Sequence, residues 1–121
     1  KSSPPDTTPF AAECRLALAA VREAARLCQR VQAREDRGVI TKADGSPVTI
    51  ADFAAQALLC RAIVETYPAD PIMAEERAAA LFEPGAEKLA ARMVAEIQHT
   101  RPGVDLDQIA AWIDRGSLAE H

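Results

Sequence analysis

Three carboxylates stand where they could take part in metal-assisted chemistry. Asp52 lies near the start of an apolar helical pattern, and Glu75 and Glu76 follow the short apolar run PIMA, residues 71–74. Hard cations such as Mg²⁺ prefer carboxylate oxygens, often drawn from separate elements to hold the ion beside a phosphate. The same residues can also be a helix cap and a solvated strand end, and spacing alone does not decide between these interpretations.

Two elements would have to position these carboxylates. A helix is predicted from about Ala51 to Tyr67, with Thr49 as its cap and Asp52 completing a capping-box-like pair. At 1.5 Å per residue such a helix is roughly 25 Å long. Residues 71–74 are then predicted to return as a buried strand that ends at Glu75. Because Asp52 is near the start of the helix and Glu75 is at the end of a strand that runs back along it, we expect the two carboxylates to converge.

The rest of the chain is predicted to be mainly helical. Residues 1–8 have the composition of a disordered tail, and helical spacing predicts a first helix from Pro9 to about Ala33 whose arginine-rich face is solvated. Residues 39–49, around the turn 43–46, predict a small β-hairpin. Two further helices are predicted, one around residues 89–97 and one from Val104 or Asp105 to Gly116.

Composition limits the kinds of partner. The chain has 121 residues, of which 49% are hydrophobic, and this suffices for one hydrophobic core. Its net charge is −4 and its basic residues are scattered, so we expect it to bind neither nucleic acid nor anionic membranes. No run approaches a membrane span, so we expect a soluble, cytoplasmic protein, or an organellar one after removal of a transit peptide. The three cysteines are widely spaced in apolar helical patterns, so we expect them to be reduced and buried in the core. His99 and His121 are expected to lie on the surface.

The sequence KADGSPVTIADFAAQ, residues 42–56, resembles the N-terminal signature of the 3'(2'),5'-bisphosphate nucleotidases, within the inositol monophosphatase superfamily. The run AARLCQRVQ, residues 24–32, resembles the first helix of these enzymes. Ala74-Glu75-Glu76 resembles their Gly/Ala-Glu-Glu motif. Order and intervals agree from about residue 20 to residue 76, whereas Arg77 departs from the small or acidic residue expected there.

This resemblance implies a fold, an activity and a site. Residues 9–121 would form the N-terminal part of a layered α/β/α/β/α domain. The activity would be the Mg²⁺-dependent, lithium-sensitive hydrolysis of adenosine 3',5'-bisphosphate, a by-product of sulfate transfer. Glu75 would be a Mg²⁺ ligand, and Asp52 would orient or deprotonate the attacking water. Glu76 would neighbour the metal ligand, and Thr49 and Ser46 would shape a mobile loop over the site.

One part of the family pattern is missing. The motif WxLDPIDGT, which supplies two metal-binding aspartates and a threonine in the family, occurs nowhere in these 121 residues. We therefore expect this chain alone to be inactive and to need the C-terminal half of its own fold. The alternatives are an inositol monophosphatase-type sugar phosphatase and a non-catalytic shortened relative that serves as an interaction module.

Overall fold

The protein is described here by a computed structural model that covers residues 9–40 and 45–116. These residues are mostly helical, as predicted, and contain no β-strand. Four α-helices and one 3₁₀ helix follow one another along the chain. They are α1 (Ala11–Asp36), α2 (Pro47–Thr66), the 3₁₀ helix (Ala78–Phe82), α3 (Glu87–Gln98) and α4 (Leu106–Asp114).

Helix α2 is the central element, because it packs against α1, α3 and α4. Its apolar residues surround the helix axis almost completely, which is typical of a helix buried in a core. By length and hydropathy α2 also passes a test for a membrane span, contrary to the prediction above, but half of the qualifying window is buried inside the protein. Core packing accounts for its apolar composition.

Helix α1 contacts the core through its C-terminal two thirds. The buried residues are Ala20, Ala24, Leu27 and Val31. Phe10, Cys14, Ala17 and Val21, whose helical spacing supports the prediction of this helix, are exposed at its N-terminal end. A periodicity of small and apolar residues marks a helix but does not say how far along it the neighbouring helices extend.

The cysteine prediction is only partly confirmed. Cys60 is buried and Cys28 half-buried, whereas Cys14 is exposed, and all three are free thiols. The predicted solvated arginine face is also only partly right. Arg30 and Arg34 are half-buried against α3 instead of lying in solvent.

Helices α3 and α4 complete the core with Met93, Ile97, Ile109 and Ile113, each fully buried. The start of α4 follows the sequence closely. Asp105 is its N-cap and accepts a hydrogen bond from the Gln108 N–H at 2.8 Å, and the Gln108 side chain accepts in return from the Asp105 N–H at 3.0 Å. This capping box explains why the sequence located the helix start correctly.

The predicted hairpin and strand are wrong for the described residues. Residues 47–49 form the first turn of α2, because Pro47 stands at its first position, where a fixed φ suits a helix and no N–H is needed. Residues 71–74 are extended but join no sheet. The layered α/β fold is therefore not confirmed, and the predicted tail (1–8), the hairpin residues 41–44 and residues 117–121 lie outside the described residues.

Candidate functional site

The segment that carries Glu75 and Glu76 lies against the helix that carries Asp52. Asp52 and Glu75 are exposed, and Glu76 is half-buried beside them. Burial raises the pKa of the Glu76 carboxyl above its ordinary value of 4.5, and the negative charges of Glu75 and Asp52 raise it further. The contact between α2 and the extended segment 71–77 is made by hydrogen bonds from the side chain of Gln56.

Asp52 does not have the capping role predicted for it. The N-cap of α2 is Ser46, whose side chain makes no capping hydrogen bond, and Asp52 therefore lies in the second turn of the helix. Its charge also raises the pKa of the Cys28 thiol on α1, which burial already raises. Asp52 thus lies where α1, α2 and segment 71–77 come together, with its carboxylate open to solvent.

The segment that carries Glu75 and Glu76 is held by the side chain of Gln56. This amide lies one turn beyond Asp52 on α2. Its Oε1 accepts from the Glu76 N–H at 2.9 Å, and its Nε2 donates to the Glu76 C=O at 3.0 Å. Nε2 also donates to the C=O of Ile113 on α4 at 2.9 Å. One buried amide thereby fixes the position of Glu76 relative to Asp52.

The end of α4 holds the same segment on its other side. The Ala74 N–H donates to the C=O of Gly116 at 3.0 Å, and the Ala78 N–H donates to Oδ1 of Asp114 at 2.8 Å. A Cβ added to Gly116 would lie 2.7 Å from the Cβ of Ala74, closer than side chains can approach. The glycine therefore allows the backbones of α4 and segment 71–77 to come together.

Arg77, which departs from the family pattern, stabilises the shape of the segment before it. Its Nη1 donates to the C=O of Ala74 at 2.8 Å, to that of Glu76 at 3.1 Å and to that of Glu75 at 3.4 Å. These contacts turn the chain around the guanidinium group. Segment 71–77 is therefore held without a neighbouring strand.

The two residues predicted to shape a loop over the site lie at the start of α2. Ser46 is exposed and Thr49 half-buried. Before them, Gly45 has a φ of +98° and lies close to Leu89 on α3, whose Cδ1 would be 3.2 Å from an added Cβ. That Ser46 and Thr49 shape a mobile loop over the site stays a prediction.

A metal ion would not be fully coordinated by this cluster. Within residues 9–40 and 45–116, no group of three or more His, Cys, Asp or Glu side chains is arranged to hold an ion. The donors that do meet, carboxylates with exposed oxygens, are of the kind that Mg²⁺ prefers. The chemistry of this donor set fits Mg²⁺, and further ligands would have to come from elsewhere.

Sequence reasoning missed the residues that support the site. Gln56 carried a signal, because an amide in the apolar run FAAQALL must find hydrogen-bond partners if it is buried. Nothing in the sequence identified Glu76 and Ile113 as those partners. The close contact between Gly116 and Ala74 likewise depends on a tertiary approach that a single sequence does not reveal.

Comparison with known proteins supports a class of hydrolase. A 3'(2'),5'-bisphosphate nucleotidase of Emericella nidulans is 47% identical over 68 residues, which cover 56% of this chain and 19% of that protein. The enzyme of that name from Schizosaccharomyces pombe is 44% identical over 72 residues, 55% of this chain and 20% of its own length. 3'(2'),5'-Bisphosphate nucleotidase 2 of Candida albicans is 36% identical over 118 residues, 93% of this chain and 32% of that protein. No family model matches the chain.

These relatives are nucleotidases by name, and the chain is homologous to them over the matched residues. The resemblance to 3'(2'),5'-bisphosphate nucleotidases predicted from residues 20–76 is thereby confirmed. The chain spans between about a fifth and a third of the length of these three relatives.

Proposed function

We propose that this chain forms part of a Mg²⁺-dependent phosphatase that hydrolyses adenosine 3',5'-bisphosphate to AMP and phosphate. Similarity to proteins named 3'(2'),5'-bisphosphate nucleotidase supports the reaction class and the substrate. The observation that carries the proposal is that Gln56, one turn beyond Asp52 on α2, binds the N–H and C=O of Glu76 and so holds the segment of Glu75 and Glu76 against the helix of Asp52.

The carboxylates have different surroundings, which suits different roles. Glu75 is exposed at the bend of segment 71–77, where its oxygens can bind a Mg²⁺ ion together with ligands from outside the described residues. When bound, Mg²⁺ would supply Lewis-acid stabilisation of the negative charge that develops on the phosphate oxygens. Glu76 lies next to this ligand with its backbone fixed by Gln56, and it would keep Glu75 in position.

Asp52 is the residue we propose to act on water. Its carboxylate is exposed, and it lies on the helix turn directly before Gln56. From there it can accept a hydrogen bond from a water molecule and orient it, or take its proton, as the water attacks the phosphorus. The hydrogen bonds of Gln56 would keep the position of Asp52 fixed relative to segment 71–77 during the reaction. Ser46 and Thr49, at the start of the same helix, would shape the loop over the substrate.

Two other functions make different predictions. An inositol monophosphatase-type sugar phosphatase would use the same carboxylates but prefer a sugar-alcohol phosphate. A non-catalytic relative that acts as an interaction module would bind no Mg²⁺ and release no phosphate. The relatives' names favour the nucleotidase.

The test is a phosphate-release assay on the full-length gene product, with adenosine 3',5'-bisphosphate and inositol 1-phosphate as substrates. Each is assayed with Mg²⁺, with EDTA and with Li⁺. We expect Mg²⁺-dependent, Li⁺-inhibited release from the nucleotide, and no release by the 121-residue chain alone, since that chain would need the C-terminal half of its own fold. Preferential hydrolysis of inositol phosphate would replace the proposed substrate, and no hydrolysis of either would favour the interaction module. We also propose a cytoplasmic location and a role in sulfur metabolism.

A further inference from the structure

A second charged cluster lies between α1 and α3, and it shares no residue with the carboxylate site. We call it the arginine cluster; it consists of Arg30, Arg34, Arg92 and Glu96. Glu96 is 1% exposed and lies at its centre. The Nε of Arg34 is 3.1 Å from Oε1 and 3.0 Å from Oε2 of Glu96, and the Nε of Arg92 is 3.4 Å from Oε2.

Arg30 joins the cluster through the backbone, because its Nη2 donates to the C=O of Glu96 at 3.3 Å. Arg34 extends to His99, whose Nε2 lies 2.5 Å from an Nη2 of the arginine. A guanidinium group can only donate, so this His99 nitrogen is the acceptor in the contact. All three arginines thus touch Glu96, two from α1 and one from α3.

The charges of the arginine cluster do not balance. Three guanidinium groups face one carboxylate, which leaves two positive charges uncompensated. Within the described part of the chain, no second carboxylate pairs with any of the three arginines. Burying charge without a partner is costly, so a cluster of this kind favours an additional anion.

Hydrogen-bond donors without acceptors also indicate that the arginine cluster favours an additional anion. In the described residues, buried guanidinium nitrogens without a hydrogen-bond acceptor or an ion-pair partner include Nε of Arg30 and Nη2 of Arg92. The side chains of Arg92 and Arg34 keep 21% and 27% of their surface exposed, so the buried nitrogens lie next to atoms that contact solvent. Buried N–H groups normally have acceptors, and planar guanidinium groups match the oxygens of phosphate and sulfate.

We propose that the arginine cluster binds a tetrahedral oxyanion, a phosphate or sulfate group that is either free or carried by a small molecule. The anion accepts hydrogen bonds from Arg30 and Arg92 and offsets the charge that Glu96 leaves uncompensated. By joining α1 to α3, it stabilises the contact between these helices. The site is independent of the proposed phosphatase reaction, because no residue of the cluster takes part in that reaction.

The test is titration of the full-length gene product with inorganic phosphate by isothermal titration calorimetry. EDTA is present so that no phosphate binds through a metal ion, and sulfate, AMP and chloride at equal ionic strength are separate arms. We expect saturable binding of phosphate and sulfate, an upward shift in the thermal midpoint, and no effect of chloride. Binding of AMP but not of the free ions would identify a carried phosphate group as the ligand.

Arg92→Met keeps the length of the side chain and removes the charge and donors. It should weaken phosphate binding by about tenfold or more, the scale of a lost charge-assisted hydrogen bond. Arg26→Met, on the exposed face of α1, is the matched control and should bind as the parent does. If Arg92→Met does not fold, Arg30→Met replaces it, since Arg30 has no ion pair with any residue that the structure describes. Absence of saturable binding in the parent, or equal binding in the variant and Arg26→Met, would overturn the proposal.

Discussion

The side-chain amide of Gln56 binds the backbone of Glu76 at both its N–H and its C=O, at 2.9 and 3.0 Å. A neighbouring β-strand would form the same two hydrogen bonds with the backbone of Glu76. The segment predicted to be a strand is therefore held by a side chain of α2 instead of by a sheet. The same amide reaches Ile113 on α4. Gln56 therefore connects the helix of Asp52, the segment of Glu75 and the last described helix.

Replacing Gln56 by Leu should loosen this connection. Leucine has a similar size and suits the apolar surroundings of the side chain. The change leaves the Glu76 N–H without its acceptor and the C=O groups of Glu76 and Ile113 without their donor. We expect a loss of about 2–4 kcal/mol in the free energy of unfolding, measured by urea denaturation. The control Gln98→Leu removes one hydrogen bond, to the C=O of Val104, at an exposed position and should cost about 1 kcal/mol or less.

Hydrogen exchange at the Glu76 amide gives a local measurement for the same variant. In the parent this N–H is bound to Gln56 and should exchange slowly. In Gln56→Leu it should exchange much faster than the decrease in global stability alone requires. Unchanged protection of the Glu76 amide in the variant would show that the contact with Gln56 does not hold the segment.

Gly116→Ala should separate α4 from segment 71–77. The added methyl would lie 2.7 Å from the Cβ of Ala74 and 3.1 Å from Nε2 of Gln56, and relief requires movement of the backbone. We expect a destabilisation of about 1–3 kcal/mol by thermal unfolding. The double variant Gly116→Ala with Ala74→Gly should recover part of it. A double variant no more stable than the single one would mean that contact with Ala74 is not the cause.

The sequence predicted the helices better than the connections between them. The capping box at Asp105 and Gln108 is a local pattern whose physics is complete within four residues, and α4 begins where it indicates. The strand at 71–74 failed because an apolar extended run takes its hydrogen bonds from whatever the fold places beside it. Here the partner of Ala74 is Gly116, at the end of a helix.

The candidate site was predictable only in part for the same reason. Carboxylate types and a motif indicate Asp52 and Glu75, and in the structure Gln56 holds the segment of Glu75 against the helix of Asp52. The motif did not say where α2 starts, so Asp52 was misplaced as a capping residue. The sequence predicts a solvated arginine face on α1, because a single helix pattern does not show that Glu96 of α3 lies against Arg34.

The pH dependence of stability should report the crowding of carboxylates at Glu76. Its folded-state pKa is raised, first by burial and then by Glu75 and Asp52, so the fold favours the protonated form. This contribution is complete below the ordinary pKa of 4.5 and is lost as the pH rises through the raised value. Glu76→Gln should therefore be more stable than the parent at neutral pH, and the difference should vanish in acid.

Urea midpoints of the parent, Glu76→Gln and the control Glu83→Gln, followed across this pH range, measure the effect. Glu83 is exposed, and its replacement should leave the curve parallel to that of the parent. A Glu76→Gln variant that is less stable than the parent at neutral pH would show that the ionised carboxylate has a favourable partner, and the proposed repulsion would be wrong.

Glu96→Gln should be among the most destabilising single changes in α3. It removes the buried carboxylate that pairs with Arg34 and Arg92 and leaves their charges without compensation. We expect a loss of about 3–5 kcal/mol in the free energy of unfolding. Glu87→Gln, in the exposed first turn of the same helix, should lose less than about 1 kcal/mol. Equal losses in both variants would mean that Glu96 contributes no more than a surface residue.

The role of Asp52 can be tested in two independent ways with Asp52→Asn. In the full-length enzyme, loss of the group that acts on water should lower kcat for adenosine 3',5'-bisphosphate by about 10²- to 10⁴-fold with little change in KM. Asp107→Asn, an exposed aspartate on α4, is the control and should keep the parent rate. A parent-like kcat in Asp52→Asn would exclude the proposed role.

The second test measures geometry without any activity. Because the charge of Asp52 raises the pKa of the Cys28 thiol, its removal should lower that pKa and increase the thiolate fraction near neutral pH. Alkylation of Cys28, followed by peptide mass spectrometry, should then be faster in Asp52→Asn than in the parent, while alkylation of exposed Cys14 should be unchanged. Faster labelling together with a parent-like kcat would place Asp52 beside α1 as described and reject only its catalytic function, whereas unchanged labelling would reject the placement itself.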